Sequence, residues 1–136
     1  MTARQTAAIA ALQTALTTAF KADATLTGLV KGRIHDGLPR GPVMPCLVFA
    51  DARGRDFSSG DGTGARVLLA LEAYAGDTER SRALAVLDAA LAVATTAPLS
   101  LTTGSLTLIR VSDTQVDRTR DGAWRARAVI DALIDQ

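Results

Sequence analysis

Apolar residues recur at three- and four-residue steps near the start of the chain, at Ile9, Leu12, Leu16, Ala19 and Phe20. That spacing puts them on one face of a helix, with Thr6, Gln13 and Thr17 on the other, as expected for a helix lying on a sheet. Thr2 and Gln5 are spaced as a capping box, so the pattern predicts a helix over about Ala3–Lys21. Asp23 then caps a short continuation in which Leu26, Leu29 and Val30 share a face and Gly32 ends the turn. Arg33-Ile34-His35-Asp36 reads as a short strand. Pro39, Gly41, Pro42 and Pro45 make Gly37–Pro45 a loop, because each proline removes a backbone donor and biases its predecessor away from helix.

The stretch from Pro45 to Tyr74 organises the rest of the chain. The apolar run Cys46-Leu47-Val48-Phe49-Ala50 gives way to a polar arm over Asp51–Phe57, a tip over Ser58–Gly64, and a second apolar run over Arg66–Ala75. Two such runs around Gly60-Asp61-Gly62-Thr63-Gly64 predict a long antiparallel hairpin, since glycine supplies the positive φ that a reversal needs. In the return strand Val67, Leu69, Leu71, Ala73 and Ala75 alternate with Arg66, Leu68, Ala70, Glu72 and Tyr74. Helix propensity is high there, yet the alternation favours a strand. Asp77 or Thr78 is placed to cap a helix over about Thr78–Thr96, with Leu84, Leu87, Leu91 and Ala94 as its apolar stripe and Pro98 past its end. Ser105–Val111 reads as a strand. Asp121-Gly122 then reads as a two-residue hairpin turn before a final strand in which Trp124, Ala126, Ala128, Ile130, Ala132 and Ile134 keep a period of two. The predicted fold is α+β: two helices on an antiparallel or mixed sheet that carries a long β-hairpin arm, all in one domain over residues 1–136.

Composition narrows the function classes. The chain has 136 residues, 48% of them hydrophobic and 21% charged, which is ordinary for a globular domain with one core. Aromatic residues make up only 4%, and alanine takes their place, so elements pack closely with little binding energy per residue and are expected to be completed by a partner. A formal net charge of +1 supplies no long-range field toward nucleic acid or an anionic membrane. The single cysteine, Cys46, opens an apolar strand and reads as a small buried hydrophobe. Residues 1–5 lack an apolar signal core, and no run of about 18 apolar residues occurs, so the protein is expected to be cytosolic when made.

No catalytic, cofactor or metal site is predicted. Gly60-x-Gly62-x-Gly64 lacks the dinucleotide spacing and is followed by a strand, not by a helix whose amides could cradle a phosphate. His35 is the only histidine and has no nucleophile motif near it; with Cys46 it makes no zinc set. The informative constellation is the last hairpin. A two-residue Asp121-Gly122 turn sets Arg120 against Ala123, Arg118 against Arg125 and Val116 against Arg127, which gathers Arg110, Arg118, Arg120, Arg125 and Arg127 on one face. Like charges opposed across a ladder are unfavourable, so an acid should lie near. Two readings stand: a solvated face relieved by Asp131 and Glu72, or a face that meets an acidic partner.

Taken end to end, the chain resembles the small tail-completion or tail-terminator proteins of long-tailed phages, prophages and phage-like gene transfer agents. The resemblance is carried by the order and spacing of the N-terminal Ala/Leu helix, Asp23-Ala24-Thr25-Leu26-Thr27-Gly28-Leu29-Val30, Gly32-Arg33-Ile34-His35-Asp36-Gly37, Met44-Pro45-Cys46-Leu47-Val48-Phe49, the polar arm, Glu72-Ala73-Tyr74 and Thr119-Arg120-Asp121-Gly122. It implies a structural subunit, not an enzyme, with no cofactor and no catalytic residues. It also implies assembly as a hexameric ring on the head-proximal end of the tail tube, in contact with the major tail tube protein and a head-tail connector or stopper protein. DNA would pass through the lumen without sequence-specific binding, and no membrane would be involved. Such a protein is made in the cytoplasm of the producing bacterium and ends in the tail of the particle. The expected interface residues are Arg53, Arg55, Asp56 and Phe57 on the arm, with Arg118, Arg120, Arg125 and Arg127 on the last hairpin. An unrelated protein-interaction module and, more distantly, a small hydrolase are the alternatives.

Overall fold

The computed structural model describes residues 2–58 and 62–136, with side chains from Gln5 onward. In chain order the elements are α1 (Thr2–Ala22), α2 (Ala24–Val30), β1 (Ile34–Asp36), β2 (Cys46–Asp56), β3 (Gly64–Ala75), α3 (Arg80–Thr96), β4 (Ser105–Arg118) and β5 (Trp124–Asp135). The strands form one mixed sheet in the order β1-β2-β3-β5-β4. Only β1–β2 is parallel; the other neighbours are antiparallel. The α+β class and the long β2–β3 hairpin agree with the sequence pattern, and α2 makes the helices three.

All three helices lie on one face of the sheet. The alternation in β3 falls as expected: Val67, Leu69, Leu71, Ala73 and Ala75 are fully buried in the core. β5 contributes Ala126, Ala128, Ile130, Ala132 and Ile134 to the same layer. Its buried alanines leave room for helices that are themselves alanine-rich. From α1, Ala8, Leu12, Leu16 and Phe20 point inward, and Phe20 stacks on Phe49 with ring centroids 5.8 Å apart. Asp23 caps α2 by accepting from the Leu26 amide at 2.9 Å, and the helix ends where Lys31 and Gly32 take left-handed φ values of 54° and 78°.

Several expectations change. Gln5 does not complete a capping box: its amide, oriented to satisfy both partners, donates to Gly54 O at 3.0 Å and accepts from Asp56 N at 3.1 Å. It thereby ties α1 to the edge of β2. Gly54 permits this approach, since a Cβ there would stand 3.0 Å from Gln5 Cβ and 3.4 Å from Ile9 Cδ1. Neither Asp77 nor Thr78 caps α3; Glu79 occupies the cap position without a side-chain bond. The Asp77 carbonyl instead accepts from Arg118 Nη2 at 2.7 Å and Trp124 Nε1 at 2.9 Å, because the last hairpin lies against this turn.

The stripe of α3 is rotated from its predicted phase. Ala83, Val86, Leu87, Ala90, Val93 and Ala94 face the core, whereas Leu84 is 42% exposed and Leu91 only partly covered. Small residues allow either phase, and packing on the sheet selected the alanine-rich one. β4 extends to Arg118, well past the predicted Val111, because β5 supplies ladder partners along its whole length. Part of the predicted tip, Ser59 to Asp61, lies outside the described residues; Asp51–Asp56, read as a polar arm, is strand paired with β3 apart from a bulge between Phe49 and Ala52.

The phase of α3 can be checked directly. Leu87→Ala should cost roughly 2–5 kcal/mol in urea unfolding, as truncation of a buried leucine does. Leu84→Ala should stay within about 0.5 kcal/mol of the parent, as is usual for an exposed position. Equal losses at the two positions would show that the stripe is phased as the sequence suggested.

Candidate interaction surface

The face of the sheet opposite the helices is built by the other set of alternating residues. Register places Tyr74 beside Arg125, Glu72 beside Arg127, Ala70 beside Val129, Leu68 beside Asp131 and Arg66 beside Leu133. On β2 the same face carries Arg53 and Arg55, paired with Leu68 and Arg66. Met44, from the loop before β2, packs on a small patch of Cys46, Val48 and Tyr74 at one end.

The turn of the last hairpin differs from the predicted one. Asp117 lies opposite Arg125, Gln115 opposite Arg127 and Arg118 opposite Trp124, one residue away from the expected pairing. Thr119 N–H donates to Ala123 O at 2.8 Å and Gly122 N–H to Thr119 O at 3.0 Å, so the loop is the three residues Arg120, Asp121 and Gly122. Gly122 has φ 89°, the left-handed closure of a three-residue hairpin. A glycine at this position suits either loop length, which is why the dipeptide alone misassigned it. The single-residue slip moves Arg118 to the face of Trp124 and brings an acid against Arg125.

The arginine cluster is therefore divided. Arg125 makes a bidentate pair with Asp117, its Nε and Nη2 donating at 3.0 and 2.7 Å. Arg127 reaches Glu72 at 2.9 Å and Asp51 at 2.9 Å. Arg118 pairs with Asp77 at 3.0 Å and stacks 4.8 Å from the centre of the Trp124 ring, which Arg80 also approaches at 5.4 Å. Arg120 is exposed in the turn. Arg110 and Arg66 converge on Asp131, which is 4% exposed; Arg66 donates at 3.0 and 2.7 Å, and Arg110 Nη2 at 3.1 Å. The relief expected from Asp131 and Glu72 is present, and Asp117 and Asp51 add to it. No local pattern marks Asp117, because its pairing depends on the register.

On the arm, Asp56 Oδ1 accepts from the Ser58 hydroxyl at 2.7 Å. Arg53 and Arg55 are exposed and make no ion pair among the described residues, and Phe57 is 55% exposed. Phe57, Leu108 and Leu133 line a small cleft of about 170 Å³ above the Arg66–Asp131–Arg110 triad. On the opposite side of the molecule, α1, α2 and α3 border an apolar groove of about 1010 Å³ with Ala15, Ala19, Leu29, Ala89 and Ala92 among its lining and Asp88 at its rim. No motif announced this groove, since small residues spaced along helices look like ordinary packing.

Nothing on these surfaces has the make-up of a metal centre: no group of three or more His, Cys, Asp or Glu side chains that could hold a metal ion occurs among the described residues. Cys46 is a free, buried cysteine, and burial pushes its thiol pKa up. Among the described residues no helix is long and apolar enough to cross a membrane. What the surfaces offer is a sheet face with its charges largely paired, an arm whose Arg53 and Arg55 have no ion pair among the described residues and whose ring is exposed, and a groove.

The family model of the tail completion protein gp17 matches residues 14–135, nearly the whole of this fold. The chain belongs to that family. Its fold is similar to that of a chain in the virion of a native gene transfer agent particle, at 24% identity and a TM-score of 0.85, with 94% of this chain and 97% of that one covered. It is also similar to the gp17 protein of bacteriophage SPP1, at 19% identity and a TM-score of 0.60, covering 95% and 91%. No curated protein matches the chain. A tail completion protein is a structural component, in keeping with a surface built of paired charges, an arm and a groove.

The paired carboxylates and the single tyrosine of this tail completion protein give a pH signature. Hydrogen bonds from arginine hold Asp131, Asp117 and Asp51 below the usual carboxylate range, each led by its own partner: Arg66, Arg125 and Arg127. Their folded pKa values are depressed, so the stability they contribute is present above an unfolded value of about 4 and is lost as pH falls through the folded values. Thermal melts should therefore drop in Tm below about pH 4, and Asp131→Asn should flatten that dependence. Tyr74 is pushed up to about 12, first by burial and then by its hydrogen bond to Glu72 at 2.7 Å. Its folded value is raised, so its contribution is lost as pH climbs from about 10 toward 12. Tyr74 is the only tyrosine, so tyrosinate absorbance at alkaline pH reports it alone. Ionisation centred near the free value in the folded protein would contradict the buried placement.

Proposed function

We propose that this protein completes a phage or gene transfer agent tail as a hexameric ring on the head-proximal end of the tail tube. There it stops elongation and offers a surface to the head-tail connector. The single observation that carries the reading is the family match over residues 14–135, and the gene transfer agent likeness at a TM-score of 0.85 supports it. In this reading residues 1–136 act as one tail-terminator-like domain, made in the cytoplasm of the producing bacterium and carried into the particle. The ring contacts the major tail tube protein and the connector. DNA passes through its lumen without sequence-specific contacts, and no catalysis is involved.

The surface chemistry suits such a role. A ring closes when one patch binds a different patch on the next copy, and it needs exposed arms more than a pocket. Arg53, Arg55, Phe57 and Arg120 are exposed, and the first two lack ion-pair partners among the described residues, so they are the proposed contacts. Asp56, Arg118, Arg125 and Arg127 are engaged within the chain and serve the interface by setting the shape of the arm and the last hairpin.

Deleting the gene should give tails that are overlong or unjoined to heads in negative-stain electron microscopy. Joined tails of normal length would end the proposal. Within assembled particles the backbone amides of residues 51–58 should exchange more slowly than in the isolated subunit. Unchanged exchange across that stretch would remove the arm from the interface.

A further inference from the structure

Two surfaces are left incomplete in the single chain, and they complement each other. Arg53, Arg55 and Phe57 follow one another at every second residue, so they form a row on one face of the arm. The row lies on the sheet face away from the helices, where Phe57 borders the same small cleft as Leu133 and Arg66. It presents an exposed ring beside two guanidinium groups that have no ion-pair partner among the described residues. The other surface is the groove among the helices, whose alanine-rich lining lets another chain approach closely. At its rim Asp88 is exposed and also has no partner among the described residues.

The sheet separates these two surfaces, so an arm cannot reach the groove of its own chain. We infer that the arm of one copy docks in the helical groove of the next, with Phe57 against the alanine lining and Arg55, with Arg53 beside it, facing Asp88. The inference rests on the ring reading above and names the surfaces that close the ring. The contact is heterologous: an arm meets a groove, and each copy offers one of each, as a closed ring of identical chains requires. It joins burial of an aromatic side chain to neutralisation of charges otherwise left free, the combination that gives an interface both affinity and register.

The test uses the full chain in assembled particles. Chemical cross-linking of the parent protein in purified particles should give a ladder of multimers; monomer alone would overturn the ring reading and this inference together. With the ladder in hand, Phe57→Cys combined with Ala92→Cys should form an intermolecular disulfide under mild oxidation. Cys46, fully buried, takes no part. Leu38→Cys with Ala92→Cys should not form one. Charge reversal supplies the second arm: Arg55→Glu or Asp88→Arg alone should cut incorporation about tenfold, and the two together should restore most of it, while the melting of the isolated subunit stays unchanged. A ladder without the disulfide, or losses that the double reversal does not rescue, would keep the ring and overturn the arm-in-groove contact.

Discussion

The β3–β5 ladder is the constraint on which the rest of this molecule depends. Its register runs without a shift from Gly64 opposite Asp135 to Ala75 opposite Trp124, through the middle of the sheet. Because side chains alternate along a strand, that one register decides which residues enter the core and which face away. A slip by one residue would bring Arg125, Arg127 and Asp131 under the helices and expel Ala126, Ala128 and Ile130. Both faces resist such a slip, one through apolar burial and the other through charge pairing.

The charged face shows how a protein with many surface arginines avoids the cost of crowding them. Asp131 is nearly inaccessible, yet it accepts from Arg66 on β3 and Arg110 on β4, so it links three strands across the far side of the sheet from the core. Removing such an acid leaves two cations facing each other, which is more damaging than the modest value of the pair itself. The more exposed pairs, Arg125–Asp117 and Arg127–Asp51, add little stability each and serve mainly to set side-chain positions. Arg118 also acts structurally, since through Asp77 and Trp124 it holds the start of α3 against the last hairpin.

The two sides of the sheet also differ in what they leave uncovered. On one side the helices close the core but leave a groove between them, a consequence of building helices largely from alanine. On the other, the arm runs out with Arg53, Arg55 and Phe57 uncompensated among the described residues. The edge of β2 on this arm is not left open, since Gln5 satisfies Gly54 O and Asp56 N, so non-specific strand addition there is blocked while the side chains remain available. The capped edge leaves the arm to present its side chains and not its backbone.

Local pattern by itself determined much of this. The three-and-four spacing of α1, the Asp23 cap, the proline loop and the period-two runs of β3 and β5 are each set by neighbours in sequence, and all appear in the fold. Family membership was also legible, because the order of segments along the chain carried it. What tertiary structure decided were the choices that local pattern left nearly equal in energy. Gly122 serves a two- or a three-residue turn, and only the pairing of Arg125 with Asp117 and the docking of Trp124 on Asp77 select the longer one. The leucines of α3 are interspersed with alanines and valines, so either phase buries apolar area, and the fit against the sheet turned Leu84 outward. β4 carries almost no apolar signal beyond Val111 and becomes a strand because β5 lies beside it with free ladder groups. In each case the energy lies in contacts between residues far apart in the chain, which no local pattern records.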